Sequence, residues 1–415
     1  MLSYRKLAMR VLGRPLHTEG IDSPRPASQR AAAFALTAAM LITLAAPAFA
    51  KTWHIEDGDI TVKAGDTKGT NKVSQGESTD VPDTDTVITN REKNASSNTV
   101  TIETNDKNDK VEVTLKDVNI DTSSRNKAAV SVTGEGDTNI KLDGDNALKS
   151  DIYRSGIYGS GSGSLTISGG ENDSLTAQGG SGANGISSSG SLTISGGTVT
   201  ANGDDGGRGI SSSGSVTISG GSTVTANGGN GTISGGDGIC SNGGVTISGG
   251  STVTANGGNG GSLVGGDGIR SGGGLTVSDG TVTAKGGNGD SKDGYGGDGI
   301  RSGGVITISG NTVNAAGGYG GKVGGYGICS FDRVAISGGT VEAAGGNGST
   351  GGGSGIYSSV IDLSGSLELT AKAGSPNGKA LLQAGHELDL DTIKDKLGPG
   401  AKVTVTDADG KVNQV

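Results

Sequence analysis

Three aspartates occupy equivalent places in a repeated phrase, Gly-Gly-Asp-Gly-Ile. They are Asp237, Asp267 and Asp298, separated by 30 and 31 residues. If each repeat forms one layer of a stack, the carboxylates form a column with about 5 Å between neighbours, and their charges repel unless a cation neutralises them. Calcium is the expected cofactor, because this ion takes about six to eight oxygen ligands in irregular loops. The alternative is that each aspartate caps its turn by accepting backbone N–H groups.

Two arginines lie close to these aspartates. Arg270 and Arg301 each follow a Gly-Ile dipeptide, three residues after Asp267 and Asp298 respectively. Guanidinium groups bind carboxylates through paired hydrogen bonds, so this arginine pair could bind the carboxylates of a uronic acid polymer. The alternative is that the two arginines neutralise the neighbouring aspartates.

Three tyrosines, Tyr295, Tyr319 and Tyr326, lie in glycine-rich segments of neighbouring repeats. A tyrosine ring can stack on the C–H face of a sugar, and such polar segments offer little core for a ring to fill. We therefore expect a carbohydrate-binding patch at these tyrosines, with loop anchoring as the alternative.

Support for catalysis is thin. After residue 50 the chain holds only His54 and His386, at opposite ends, which excludes a histidine-based triad or zinc site. A polysaccharide lyase would need clustered carboxylates and a basic residue, which the aspartate column and the arginine pair could supply. We predict no catalytic residues and keep the lyase as an alternative.

The elements that position these residues follow from an internal repeat. Each repeat of about 28 residues contains Gly-Ile-x-Ser and two short alternating runs such as Leu192 to Ser195 and Thr198 to Ala201. Runs this short, rich in Thr, Val and Ile and ended by glycines, are typical of strands. The sequence predicts an all-β, right-handed, single-stranded parallel β-helix with N- and C-terminal caps. Its repeats are marked by Ile157, Ile186, Ile210, Ile239, Ile269, Ile300, Ile328 and Ile356.

Length varies at one corner of the repeat. Most of this variation falls in the glycine-rich segments 228–238, 257–268, 286–299, 317–327 and 345–355, which we call the loop edge. Loops on a rigid scaffold commonly carry binding function. The sequence leaves open whether these loops are mobile or are held by a ligand or cation.

The chain begins with a basic segment and an alanine-rich apolar run that ends in Ala48-Phe49-Ala50. This pattern predicts a signal peptide over residues 1–50, cleaved after Ala50, and a secreted or cell-surface protein. We divide the remainder into an N-terminal cap or lead-in over 51–98, the β-helix over 99–370, and a C-terminal cap over 371–415. That last cap is predicted to contain a short helix at 391–397 and a strand at 402–406.

Charge limits the partners of the exported chain. Residues 1–50 hold six of the 33 basic and two of the 42 acidic residues, so the net charge without them is −13. Such an acidic chain is a poor partner for nucleic acid, and no second apolar stretch predicts a membrane span. Cys240 and Cys329 both occur as Gly-Ile-Cys-Ser and are three repeats apart, roughly 14 Å in a β-helix, so we expect no disulfide between them.

Several phrases carry a family resemblance. The run from Val111 to Ile120, followed by Ala128 to Val132, Ile140 to Asn146 and Gly163 to Gly169, resembles secreted bacterial carbohydrate-binding proteins of the pectate-lyase-like parallel β-helix type. The resemblance covers roughly residues 99–370 and implies polysaccharide binding without an established reaction. The predicted function is non-catalytic binding of a polysaccharide, with an acidic glycan as the expected partner and calcium as the expected cofactor. The alternatives are a lyase that acts on acidic glycans and a structural or adhesive rod.

Overall fold

The computed structural model describes residues 50–415, so the predicted signal peptide lies outside the described residues except for Ala50. The chain forms a parallel β-solenoid of about 11 turns, which confirms the predicted fold class. Each turn contributes one strand to each of three parallel sheets.

The first sheet is built from the Gly-Ile-x-Ser runs. Its strands pair in register, so Ile186 lies beside Ile157 and Ile210. The strands are Ile60–Ala64, Val100–Glu103, Val130–Thr133, Ile157–Gly159, Ile186–Ser188, Ile210–Ser212, Ile239–Ser241, Ile269–Ser271, Ile300–Ser302, the starts of Ile328–Ala344 and Ile356–Lys372, and Leu381–Gln383.

The second sheet is built from the Leu-Thr-Ile-Ser runs, with Leu192 beside Leu165 and Val216. Its strands are Thr52–His54, Thr86–Thr89, Lys110–Lys116, Asp137–Asp143, Leu165–Ser168, Leu192–Ser195, Val216–Ser219, Val245–Ile247, Leu275–Val277, Ile306–Ile308 and the middle of the two 17-residue strands, Ile328–Ala344 and Ile356–Lys372.

The third sheet is built from the Thr-Val-Thr-Ala runs, with Val224 beside Val199 and Val253. Its strands are Asn119–Asp121, Asp145–Lys149, Ser174–Ser181, Thr198–Asp204, Thr223–Asn227, Ser251–Asn256, Gly280–Lys285, Thr312–Ala316, the ends of the two long strands, and Lys402–Thr406.

The core is a narrow stack of aliphatic side chains. Because successive residues of a strand face opposite sides, Ile194, Val199 and Ala201 point inward and are fully buried, while the residues between them face outward. Polar ladders add hydrogen bonds between turns, as in Asn227, whose amide donates to Asn202 and accepts from Asn256, both at 2.8 Å. Hydrogen bonds between side chains thus link successive turns in addition to the backbone pairing of the sheets.

The N-terminal segment 51–98 already contains strands of the helix. Ile60 pairs with Val100 in the first sheet, and Thr86 pairs with Val113 in the second. Strand Asn71–Gln75 pairs antiparallel with Ile60–Ala64, and Ser78–Asp83 pairs antiparallel with Asn71–Gln75. The coiling therefore begins before residue 99, because buried Val73 and Ile88 maintain the inward pattern within this polar stretch.

At the C-terminal end, Lys402–Thr406 pairs in parallel with residues 368–372, and Val412–Gln414 adds antiparallel to it. His386–Glu387 forms a short antiparallel pair with Leu381–Gln383. Instead of the single helix predicted at 391–397, the chain forms two 3-10 turns, Leu390–Thr392 and Lys394–Lys396. Buried Leu390 and Ile393 pack on the core, and a segment this short gains more from that contact than from helix propagation.

Within residues 50–415, no helix has the length and apolar character needed to cross a bilayer.

Candidate binding site

The predicted aspartate column lies where the loop edge returns to the first sheet. Asp237, Asp267 and Asp298 each stand two residues before an inward isoleucine of that sheet, and these isoleucines pair in register. The same position is filled in the other turns by Ser155, Asn184, Arg208, Tyr326 and Ser354.

Side chains at this position accept hydrogen bonds from the backbone of the next turn. Asp267 Oδ1 accepts the backbone N–H of Asp298 at 2.7 Å, and Asp237 Oδ1 accepts that of Asp267 at 2.9 Å. Asp298 Oδ1 accepts the N–H of Tyr326, and Asn184 Oδ1 accepts the N–H of Arg208. The aspartates thus accept backbone N–H groups, as the alternative to calcium expected, but these belong to the following turn.

The three aspartates differ in their cationic partners. All are about 95% buried, yet Arg208 Nε lies 3.2 Å from Asp237 Oδ2 and Arg301 Nη1 lies 3.7 Å from Asp298 Oδ2. Among residues 50–415, no lysine, arginine or histidine nitrogen lies within 4.0 Å of the Asp267 carboxylate. Asp267 is therefore the member of the column that forms no ion pair with these residues.

These surroundings change the acidity of two carboxyls. Burial raises the pKa of Asp267, and the neighbouring charges of Asp298 and Asp237 raise it further. Burial also raises the pKa of Asp298, although the N–H of Tyr326 and the charge of Arg301 oppose this. Protonation of these carboxyls thus reduces the repulsion within the column, which is the role predicted for a calcium ion.

The column offers a poor donor set for calcium. In the described part of the chain, no group of three or more His, Cys, Asp or Glu side chains is arranged to hold a metal ion. One oxygen of each aspartate already accepts an N–H, and two of the three carboxylates face an arginine. Calcium binding stays a prediction.

The arginine pair lies beside the column on neighbouring strands. Arg270 pairs in register with Arg301 on one side and Cys240 on the other. Arg301 is engaged by Asp298 and by the ring of Phe331, whose centroid lies 5.2 Å from its guanidinium carbon. Arg270 is exposed, and its guanidinium forms no ion pair or hydrogen bond with any residue of 50–415.

A groove of about 470 Å³ connects these features. Its floor is formed by glycines of four loops, and its charged walls by Arg208, Arg270, Arg301, Asp237 and Asp267, with Val264 at the loop side. Three arginines against two aspartates give the groove a positive surplus on an acidic protein, and protonation of Asp267 increases that surplus.

The three predicted tyrosines do not form one patch. Tyr295 and Tyr319 are 45% and 47% exposed on the loop edge, where Lys322 Nζ lies 5.5 Å from the Tyr295 ring centroid. Tyr326 instead follows Asp298 in the column and stacks on Tyr357, with ring centroids 5.0 Å apart. Its position immediately before Gly-Ile was the signal in the sequence that could have separated it from the other two.

The loop edge also carries aliphatic side chains that sequence reasoning missed. Val264 lies beside Tyr295 across a backbone bridge, and Tyr295 lies beside Val323 in the next turn. Together with exposed Ile233, Leu263 and Tyr319, these side chains form an apolar stripe that reaches the groove at Val264. The alternation of large apolar residues at loop tips was visible in the sequence, but their alignment depended on how the loops stack.

Hydrogen bonds between glycine backbones hold the loops in place. The loops therefore need neither mobility nor a bound ligand or cation to account for their glycine-rich sequence. Gly236 donates its N–H to Gly229 O, Gly258 to Gly236 O, and Gly266 to Gly258 O, at 2.8 to 2.9 Å. This chain of N–H to carbonyl hydrogen bonds, which we call the glycine zigzag, continues from turn to turn through Gly287, Gly297, Gly318, Gly325, Gly346, Gly353 and Gly374. A Cβ on Gly266 would lie 1.9 Å from Gly236 O, so only glycine allows this approach.

Comparisons with protein-family models, curated proteins and solved structures find no match for this chain. Functional inference therefore depends on the geometry of the groove and the loop edge.

Proposed function

We propose that this β-helix binds an acidic polysaccharide, without cleaving it, in the groove lined by Arg208, Arg270 and Arg301. The observation that carries the proposal is Arg270, an exposed guanidinium without a carboxylate partner in residues 50–415, in register with Arg301. Two guanidiniums on adjacent strands repel each other, and an anionic ligand that contacts both removes that repulsion.

The remainder of the groove suits a sugar polymer better than a compact anion. The floor is backbone from glycine loops, which offers polar groups close to the surface. The apolar stripe with Tyr295 and Tyr319 continues beyond Val264, and tyrosine rings can stack on sugar C–H faces. A chain lying along the loop edge would contact successive turns, each about 4.8 Å further along the helix.

Long-range charge opposes the proposed ligand, because the exported chain has a net charge of −13. The attraction must therefore be local to the groove. Moderate salt screens the repulsion between the polymer and the remote acidic surface more than it weakens close contacts with the arginines.

The test is calorimetric titration of residues 51–415 with polygalacturonate and with a neutral glucan. Arg270→Gln should weaken binding of the acidic polymer about tenfold, while melting as the wild type does, because Arg270 has no partner to lose. Arg333→Gln is the matched control, since Arg333 is also an exposed arginine but lies outside the groove.

Two further experiments distinguish this proposal from a calcium-dependent site and from a lyase. Titration with calcium and with a chelator tests the predicted metal dependence, and an assay for unsaturated oligosaccharides tests the lyase. Equal binding by wild type and Arg270→Gln would refute the groove as the site. Absence of binding to every polymer would favour the structural rod.

A further inference from the structure

Asp83 is a buried carboxylate whose compensating charge is missing. It ends the strand Ser78–Asp83 and is fully buried. Its Oδ2 accepts the indole N–H of Trp53 at 2.7 Å, and its Oδ1 accepts the backbone N–H groups of Asp85 at 3.1 Å and Lys51 at 3.2 Å. All three donors are neutral in an uninterrupted chain.

In the part of the chain that the structure describes, no side-chain cation supplies this charge. Among residues 50–415, no lysine, arginine or histidine nitrogen lies within 4.0 Å of this carboxylate. The Lys51 ammonium lies elsewhere, 3.7 Å from the Trp53 ring centroid. A buried carboxylate without a cation is costly, and neutral N–H donors offset only part of that cost.

The nitrogen of Lys51 is also the atom that the predicted cleavage would release. Hydrolysis of the Ala50–Lys51 peptide bond adds water, leaving a carboxylate on Ala50 and a free α-amine on Lys51 that takes up a proton. The atom that now donates one neutral N–H to Asp83 would then carry a positive charge and three protons. Such a charge-assisted hydrogen bond is about twice as strong as a neutral one.

The local fold is compatible with a chain that starts at this residue. Thr52 opens the first strand of the second sheet and pairs with Val87, and the Lys51 carbonyl accepts the N–H of Val87 at 3.4 Å. Ala50 is exposed and belongs to no strand. Removal of everything before Lys51 therefore takes no strand pairing from the described fold.

We propose that a peptidase specific for small residues cleaves the chain between Ala50 and Lys51, and that the new α-ammonium of Lys51 pairs with Asp83 to lock the N-terminal end of the β-helix. This inference does not depend on the proposed glycan binding. It makes export processing a step that completes the fold.

The first experiment is intact-mass and N-terminal analysis of the protein released when the full 415-residue chain is expressed in an exporting bacterium. The expected product begins at Lys51. A product beginning at any other residue would overturn the proposal.

The second experiment tests the ion pair with three forms that differ only at the N-terminus. They begin at Lys51 with a free amine, at Lys51 with an acetylated amine, and at Ala50 with a free amine. Because acetylation removes the charge and the extra alanine displaces it, we expect both to melt several degrees below the first form. Equal melting of the free and acetylated Lys51 forms would refute the pairing, and this comparison needs no substitution.

Two variants assign the effect to the proposed atoms. Asp83→Asn keeps the shape and an accepting oxygen, so the free and acetylated forms of this variant should melt together. Lys51→Met removes the side-chain charge but keeps the α-ammonium, so its two forms should still differ. Trp53 is the only tryptophan, and its emission should shift on acetylation because its indole binds the same carboxylate.

Discussion

Asp267 accepts the backbone N–H of Asp298, its equivalent in the next turn, at 2.7 Å. The two carboxyls therefore serve as structural links between turns while lying close enough for their charges to interact. Among residues 50–415, Arg301 forms an ion pair with Asp298, whereas Asp267 forms none. The unfavourable electrostatic energy of the column is therefore greatest at Asp267, and a substitution of this one residue can test it.

Replacing Asp267 with asparagine should stabilise the protein at neutral and alkaline pH. The amide oxygen can still accept the N–H of Asp298, as Asn184 does for Arg208 in the same column. A neutral amide needs no proton uptake to be buried beside Asp298 and Asp237, so the cost of burying an ionisable group there disappears. We expect a gain on the order of 1 kcal/mol in the free energy of unfolding. Urea denaturation of wild type and variant measures it.

Asp237→Asn is the control for that gain. Asp237 has the same link to the next turn but is paired with Arg208, so its replacement removes an attraction. We expect no gain or a small loss. A gain equal to that of Asp267→Asn would show that cationic pairing does not distinguish the two positions.

Stability should fall as the pH rises from about 4, the pKa of an aspartate in the unfolded chain, to the raised folded pKa of Asp267. The folded pKa of Asp267 is raised by burial and by neighbouring carboxylates, so the fold holds this proton more tightly than the unfolded chain does. Its contribution is complete below the unfolded value of about 4 and is lost as the pH rises through the folded value. The Tm of wild type should decline over that range more steeply than the Tm of Asp267→Asn, and parallel profiles would contradict this.

Asp59 predicts the opposite dependence at the acidic end. Burial alone would raise the pKa of Asp59, but hydrogen bonds from Arg125 and Lys127 lower it to about 2. Its contribution is present above about pH 4 and is lost as the pH falls towards 2. Asp59→Asn should flatten the acid limb of the melting profile without changing the alkaline limb, and an unchanged acid limb would contradict the assignment.

The glycine zigzag predicts a sharp difference between two loop positions. Gly266→Ala places a methyl group 1.9 Å from Gly236 O, so the turns must separate, at a cost of about 3 kcal/mol or more. Gly351→Ala meets nothing closer than the Val323 methyl groups at 3.9 Å and should cost little. The melting temperatures of both variants provide the measurement. Similar decreases in Tm would show that the glycine backbones around Gly266 are not closely packed.

Both cysteines should be inert in the folded protein. Burial raises the pKa of Cys240 to about 11 and that of Cys329 to about 12, so almost no thiolate exists at neutral pH. A thiol reagent should label neither residue in buffer and both in denaturant. Rapid labelling of native protein would indicate that the corner beside the groove opens.

Much of the fold could be predicted because the repeat constrains it at every turn. The spacing of Ile186, Ile210 and Ile239 and the two alternating runs between them predicted three strands per turn, and the in-register pairing aligned the aspartates. Where the pattern was weak, prediction was less complete. The strands Thr52–His54 and Ile60–Ala64 fall in the predicted N-terminal cap. Their parallel partner strands follow only after a polar stretch, so no repeat is visible in the sequence there.

The sequence by itself determined the period, the inward residues and the columns, since strand alternation and stacking follow from local patterns repeated in register. Only the tertiary structure decided which charges meet. Within residues 50–415, it showed that Arg270 lacks an ion-pair partner while Arg301 has one, that Tyr326 lies in the aspartate column and stacks on Tyr357, and that Asp83 lies at the nitrogen of Lys51. These outcomes depend on side-chain burial and on contacts between turns, and composition and spacing do not specify either.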